Sequence, residues 1–112
     1  MKRIEAIIRP EKLDELRETL DGKGFSGMTV TEVKGRGTQK GVKLEWRVGE
    51  YNVEFLPKVK LELVLLDKDV DDVIKTICSV CSTGSIGDGK IFVSDVSWVV
   101  RIRTGEAGVV AI

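Results

Sequence analysis

Three groups of residues in this sequence have types and spacings that could do chemistry. The first is the glycine-rich stretch TGSIGDGKIFV, residues Thr83 to Val93. Gly84, Gly89 and Lys90 fit G-x-x-x-x-G-K, the spacing of a phosphate-binding P-loop, but Ile91 stands where a hydroxyl should follow to ligate Mg²⁺. A P-loop leads from a strand into a helix and uses the helix dipole. This stretch leads out of a predicted helix into a predicted strand. An anion here would be held by backbone N–H groups, turned into one concavity by the glycines. Lys90 would add a point charge at the rim. The second group is Arg101 and Arg103. On a strand, residues two apart send both guanidinium groups from one face and Ile102 from the other. Two forks and an ammonium can oppose a polyphosphate. Taken alone, R-x-R favours surface ion pairs with nearby carboxylates over a phosphate site. The third is Cys78 and Cys81, a C-x-x-C. Redox dithiols sit at helix N-termini, where the thiol pKa falls. This pair comes late in a predicted helix, spaced with Val70, Val73, Ile74 and Ile77. It is expected on or near the apolar face as core packing. Two thiols without further ligands are a poor zinc site.

Composition narrows the field. The chain has 112 residues, enough for one domain with one core, and no histidine, which removes imidazole acid–base chemistry. Eighteen Lys and Arg balance eighteen Asp and Glu, so any anion site must be local. No apolar run approaches the roughly 20 residues of a membrane span. The opening MKRIEAIIRP has a short apolar run that Pro10 ends, unlike a signal peptide. A cytoplasmic location is the expectation.

The elements that must position these groups follow from periodicity. RIEAIIRP alternates as a strand. After Pro10, Leu13, Leu16 and Leu20 fall on one helical face, and DGKG supplies a glycine stop. GMTVTEVKG reads as a second strand. PKVKLELVLLD is a third, with Val59, Leu61, Leu63 and Leu65 on one face. Asp67 is placed to cap a second helix over roughly 68–81. KIFVSDVSWVVRIRT closes the chain as one long strand or a strand pair. Two βαβ units in this order predict an α+β, ferredoxin-like domain: a four-stranded antiparallel sheet with both helices on one face. The other face is left for self-association to cover. The long connection 35–57 is expected to be a loop that reshapes on binding, with a long β-hairpin as the alternative.

MTVTEVKGRG (28–37), QKG (39–41), EYNVEFLPKVKLELV (50–64), TGSIGDGKIFV (83–93) and VVRIRTGE (99–106) each resemble, in type and order, the PII nitrogen-regulatory signal-transduction proteins. The resemblance covers essentially the whole chain. It implies a homotrimer of ferredoxin-like domains with nucleotide sites in the clefts between subunits. Residues 37–55 are similar to the family's T-loop, 82–90 to its B-loop and 102–109 to its C-loop.

The same resemblance implies roles. ATP or ADP would meet Ile7, Gly27, Met28, Thr29, Glu62 and Val64 near the base and ribose. Its phosphates would meet Gly35, Gly37, Thr38, Ile86, Gly87, Asp88, Gly89, Lys90, Arg101 and Arg103. Gln39 would ligate Mg²⁺. 2-Oxoglutarate would be held by that metal and by Gly37, Gln39, Lys40, Gly41 and Lys58. Arg47 would contact an ammonium transporter, and Tyr51 matches a tyrosine nucleotidylated in many bacterial members. The implied function is a regulator, not an enzyme. It would sense ATP/ADP and 2-oxoglutarate, and it would bind an ammonium transporter or a nitrogen-assimilation enzyme. It would touch membrane only through such a transporter. The alternatives are a slow NTP-hydrolysing enzyme and a nucleotide sensor without a 2-oxoglutarate response. Nucleic-acid binding is not expected, because Phe92 is the single aromatic available for base stacking on the central strands.

Overall fold

The computed structural model describes residues 1–37, 42–46, 49–53 and 55–112; for 42–46 and 49–53 it describes the backbone alone. Strand β1 (Lys2–Ile8) leads to helix α1 (Leu13–Gly22) and strand β2 (Thr29–Gly35). Strands β3 (Val42–Trp46) and β4 (Gly49–Val53) pair as a separate two-stranded antiparallel sheet. Strand β5 (Leu56–Leu65), helix α2 (Val70–Cys81) and strand β6 (Lys90–Asp95) follow. The four-stranded sheet has the order β2-β5-β1-β6, with every pair antiparallel. This is the ferredoxin-like arrangement. The β3–β4 pair is the hairpin that the sequence argument held as the alternative for residues 35–57.

Alternation decides the core. Ile4, Ala6 and Ile8 of β1 and Val59, Leu61, Leu63 and Leu65 of β5 point to one face. They pack with Leu16 and Leu20 of α1 and Val73, Ile77 and Cys81 of α2, so both helices cover that face. Helix α1 begins after a 3₁₀ turn at Pro10–Lys12. It ends at Gly24, whose φ of 90° lets the Phe25 N–H donate back to the Leu20 carbonyl at 2.9 Å. At the polar edge of α2, Thr76 is buried but donates its hydroxyl to the Asp72 carbonyl at 2.8 Å.

Three expectations need correction. Asp67 does not cap α2. A 3₁₀ turn at Asp67–Asp69 leads into the helix without a side-chain cap, and Asp67 takes the chain's N-terminal ammonium at 3.0 Å. The pairing Lys2–Leu65 brings Met1 to that corner, and the ammonium holds the Asp67 carboxyl below its usual range. Secondly, only one thiol joins the core. Cys81 is about 40° around the helix from Ile77 and is buried; Cys78 is about 100° away and exposed. Thirdly, the last strand is short. Lys2 pairs with Asp95, the Val96 N–H donates to the Met1 carbonyl, and there β1 runs out of residues to pair.

The uncovered face is less apolar than expected. Lys60 lies between Glu5 and Glu62, with N···O distances of 3.8 and 3.4 Å. Phe92 stands on the same face, half exposed. The larger exposed apolar surface is the C-terminal segment, where Trp98, Val100, Ile102, Val109 and Val110 all face outward.

Candidate functional site

The glycine-rich loop is built by one carboxylate. Asp88 accepts from the Thr83 N–H at 2.7 Å, the Thr83 hydroxyl and the Gly84 N–H at 3.1 Å. These bonds, with the Arg9 guanidinium beside it, hold the Asp88 carboxyl well below the ordinary carboxylate range. Asp88 is therefore engaged within its own loop. Gly84, Gly87 and Gly89 have φ of 80°, 102° and 103°, which side-chain-bearing residues rarely adopt. Gly89 has a second constraint: a Cβ there would lie 1.7 Å from the Ile7 carbonyl oxygen. The loop crosses β1 at that point to enter β6, where Ile7 pairs with Lys90.

Two cations grip the loop from the sheet. Arg9 donates from Nε to Asp88 Oδ1 at 3.1 Å and from Nη2 to the Ile86 carbonyl at 2.7 Å. Lys58 donates from Nζ to the Gly87 carbonyl. Register explains the meeting. Ile8 pairs with Val59 and Ile7 with Lys90, so the register continued one rung on the first side and two on the second sets Arg9 between Lys58 and Asp88. Pro10 keeps that rung extended, with Arg9 at φ −66° and ψ 139°. Burial first, and the Arg9 charge second, push the Lys58 pKa down from 10.5. The sequence reading missed Arg9. Its partners lie 77 and 79 residues away, and only the R-P dipeptide at a strand end hinted that it would face the loop.

The anticipated ligand residues fall into two groups at opposite ends of β5. Ile7, Gly35, Lys58, Ile86, Gly87, Gly89 and Lys90 gather around the loop end, and Gly35 lies against the Lys58 stem, 3.4 Å from Cγ. Gly37 follows β2 at the same end and is exposed. Gly27, Met28, Thr29, Glu62 and Val64 gather at the other end, in a groove of about 580 Å³ shared with Val99, Val109 and Ile112. Six residues of strand separate Lys58 from Val64, or about 20 Å.

Arg101 and Arg103 belong to neither group within this chain. They are not on a strand, which corrects the argument that both leave one face. Val100 bridges Ala107, and between them a turn is closed by Gly105 N–H donating to the Arg101 carbonyl at 2.8 Å. Arg101 Nη1 lies 3.4 Å from Glu106 Oε1, so it carries the surface ion pair that was the other reading of R-x-R. Arg103 is exposed. Thr38, Gln39, Lys40, Gly41 and Arg47 lie outside the described residues. Tyr51 is placed by backbone only, opposite Leu44.

At Gly87 an added Cβ would stand 3.2 Å from Arg9 Nη2 and 3.5 Å from Lys58 Nζ, so two cations lie against the loop there. The C-x-x-C does not offer thiolate chemistry at Cys81, because burial pushes that thiol up to about 11.

Fold and loop together define a double-βαβ domain that carries a glycine-rich loop leading into its edge strand β6. The profile of the family "Nitrogen regulatory protein P-II" matches residues 1–106. "Nitrogen regulatory protein P-II" of Rhizobium meliloti is 58% identical over 112 residues, covering 100% of both chains. "Nitrogen regulatory protein P-II 2" of Methanothermobacter thermautotrophicus is 56% identical over 108 residues, 96% of this chain and 94% of the relative. "Nitrogen regulatory protein P-II 1" of Escherichia coli (strain K12) is 59% identical over 106 residues, 95% of each. The chain belongs to the nitrogen regulatory P-II family.

Proposed function

We propose that the protein is a cytoplasmic sensor that compares ATP with ADP, registers 2-oxoglutarate, and passes the result to a nitrogen-assimilation target. The observation that carries this reading is the glycine-rich loop, shaped by Asp88 and gripped by Arg9 and Lys58, with Lys90 following it at the start of β6. Its backbone N–H groups and these cations would hold phosphate without a helix dipole.

The two separated groups support a site shared between copies of the chain. One copy supplies the loop end. A neighbour supplies the groove at Gly27–Thr29, Glu62 and Val64, and brings Arg101 and Arg103 to the phosphates. For this Arg101 exchanges its exposed Glu106 partner for phosphate oxygens, a stronger charge-assisted contact. A trimer closes three such sites and buries the apolar C-terminal segment. Lys58 has donors beyond the one spent on Gly87, so it can also take a carboxylate. Mg²⁺, held through Gln39 and ATP, would supply a hard centre for the oxo-acid end of 2-oxoglutarate. The relatives' names are those of regulators, and we propose no catalytic role beyond slow ATP hydrolysis. The insertion carrying the hairpin, with Arg47 and Tyr51, is the proposed contact for the target, an ammonium transporter or a nitrogen-assimilation enzyme. Among the described residues no helix is long and apolar enough to cross a membrane, consistent with reaching one only through a partner.

The test is retention of an ammonium transporter on the immobilised protein. Retention with ADP and release with Mg-ATP plus 2-oxoglutarate is expected. Equal retention under both conditions overturns the switch.

A further inference from the structure

Arg9 touches the loop at two points. Its Nε meets the Asp88 carboxylate at 3.1 Å and its Nη2 meets the Ile86 carbonyl at 2.7 Å, so the fork spans Gly87. The planar guanidinium fixes the angle between these contacts; a lysine ammonium has no such plane. Gly87, at φ 102°, is the residue that the two contacted neighbours straddle, and a Cβ there would stand 3.2 Å from Arg9 Nη2. On its open side the Lys58 ammonium holds the Gly87 carbonyl. Two like charges on adjacent strands repel. Asp88 offsets that repulsion by taking Arg9, so a geometry-bearing pair is kept at an electrostatic cost.

We propose that Arg9 is a positioning residue of the phosphate loop: its fork pinches the chain on both sides of Gly87 and sets the concavity before a nucleotide arrives. The proposal rests on the nucleotide reading above. It assigns Arg9 a task distinct from direct phosphate contact, performed by the two donors spent on Asp88 and Ile86.

Arg9→Lys keeps the charge and loses the fork, whereas Arg9→Ala loses both. Amide exchange at residues 83–90 without ligand, and calorimetric titration with ADP and with ATP, separate shape from charge. The expected result is faster exchange across the loop and about tenfold weaker binding of both nucleotides in both variants, the loss of one charge-assisted bond. Melting temperature should stay close to the parent's in Arg9→Lys. Parent-like exchange and affinity in Arg9→Lys would show that charge alone matters and overturn the proposal. Faster exchange with unchanged affinity would overturn it too, because the pinch would then not serve the ligand. If Arg9→Ala does not fold, Arg9→Lys alone decides. A parent protein that binds neither nucleotide overturns the nucleotide reading itself, and with it any ligand role for Arg9.

Discussion

A methyl group at Gly89 would meet the Ile7 carbonyl oxygen at 1.7 Å, and no flexible side chain can yield to make room. At Gly84 nothing lies within 4 Å, although φ is 80°. Gly89→Ala should therefore cost about 3 kcal/mol or more, through combined strain and clash. Gly84→Ala should cost only the backbone penalty of about 1–2 kcal/mol. Chemical denaturation of both variants checks this; equal losses would mean that the close crossing over β1 is not a constraint. Asp88 makes a pH prediction of definite sign. Its folded pKa lies well below the ordinary 3.8, so its contribution to stability is fully present above 3.8 and is lost progressively as pH falls from there through the lower folded pKa. The denaturation midpoint should begin to drop at about pH 4 and keep falling below about pH 3, and Asp88→Asn should flatten that drop. An identical acid profile in the variant would show that the Thr83 and Gly84 bonds do not depend on the charge.

Helix α2 turns its two thiols to different environments, and they should react differently. Cys78 is exposed; Cys81 is buried, with its thiol pKa raised to about 11. Titration with a thiol reagent should give one fast thiol per chain in the native protein and two in denaturant. Two fast native thiols would contradict the packing of α2. The elements that were legible in the sequence are those whose period is local: the alternation Ile4, Ala6, Ile8, the Leu16–Leu20 face, and the alternating run through β5. The glycine loop was legible because its unusual φ values demand glycine. What was not legible depends on register across the sheet. Strand β6 ends where β1 starts, Asp67 is drawn to Met1, and Arg9 meets Asp88 from 79 residues away. None of these has a signal within a window of ten residues. The long final strand was an error of the same origin: WVVRIRT has strand propensity, but among the described residues its ladder contact is the isolated Val100–Ala107 bridge.

The molecule as one chain leaves its anticipated ligand residues divided, with the loop end and the base-end groove about 20 Å apart on β5. It also leaves Ile102 99% exposed beside the arginines that have no place in either group. On the proposed reading neighbouring copies would resolve both features, and sedimentation equilibrium should give a trimer. A stable monomer at micromolar concentration would leave the site open and the account of Arg101 and Arg103 without support. The central claim is that nucleotide and 2-oxoglutarate are read by one coupled site. On that reading Lys58 takes one carboxylate with its remaining donors, and the metal that ATP brings would take the oxo-acid end. Linkage makes the coupling reciprocal, typically 1–3 kcal/mol, or roughly 5- to 150-fold. The direct measurement is calorimetric titration of 2-oxoglutarate into the protein alone, with Mg-ADP and with Mg-ATP. The account predicts binding with Mg-ATP only, and tighter Mg-ATP binding by the same factor when the acid is present. Equal affinity in all three conditions, or no binding with Mg-ATP, would contradict it.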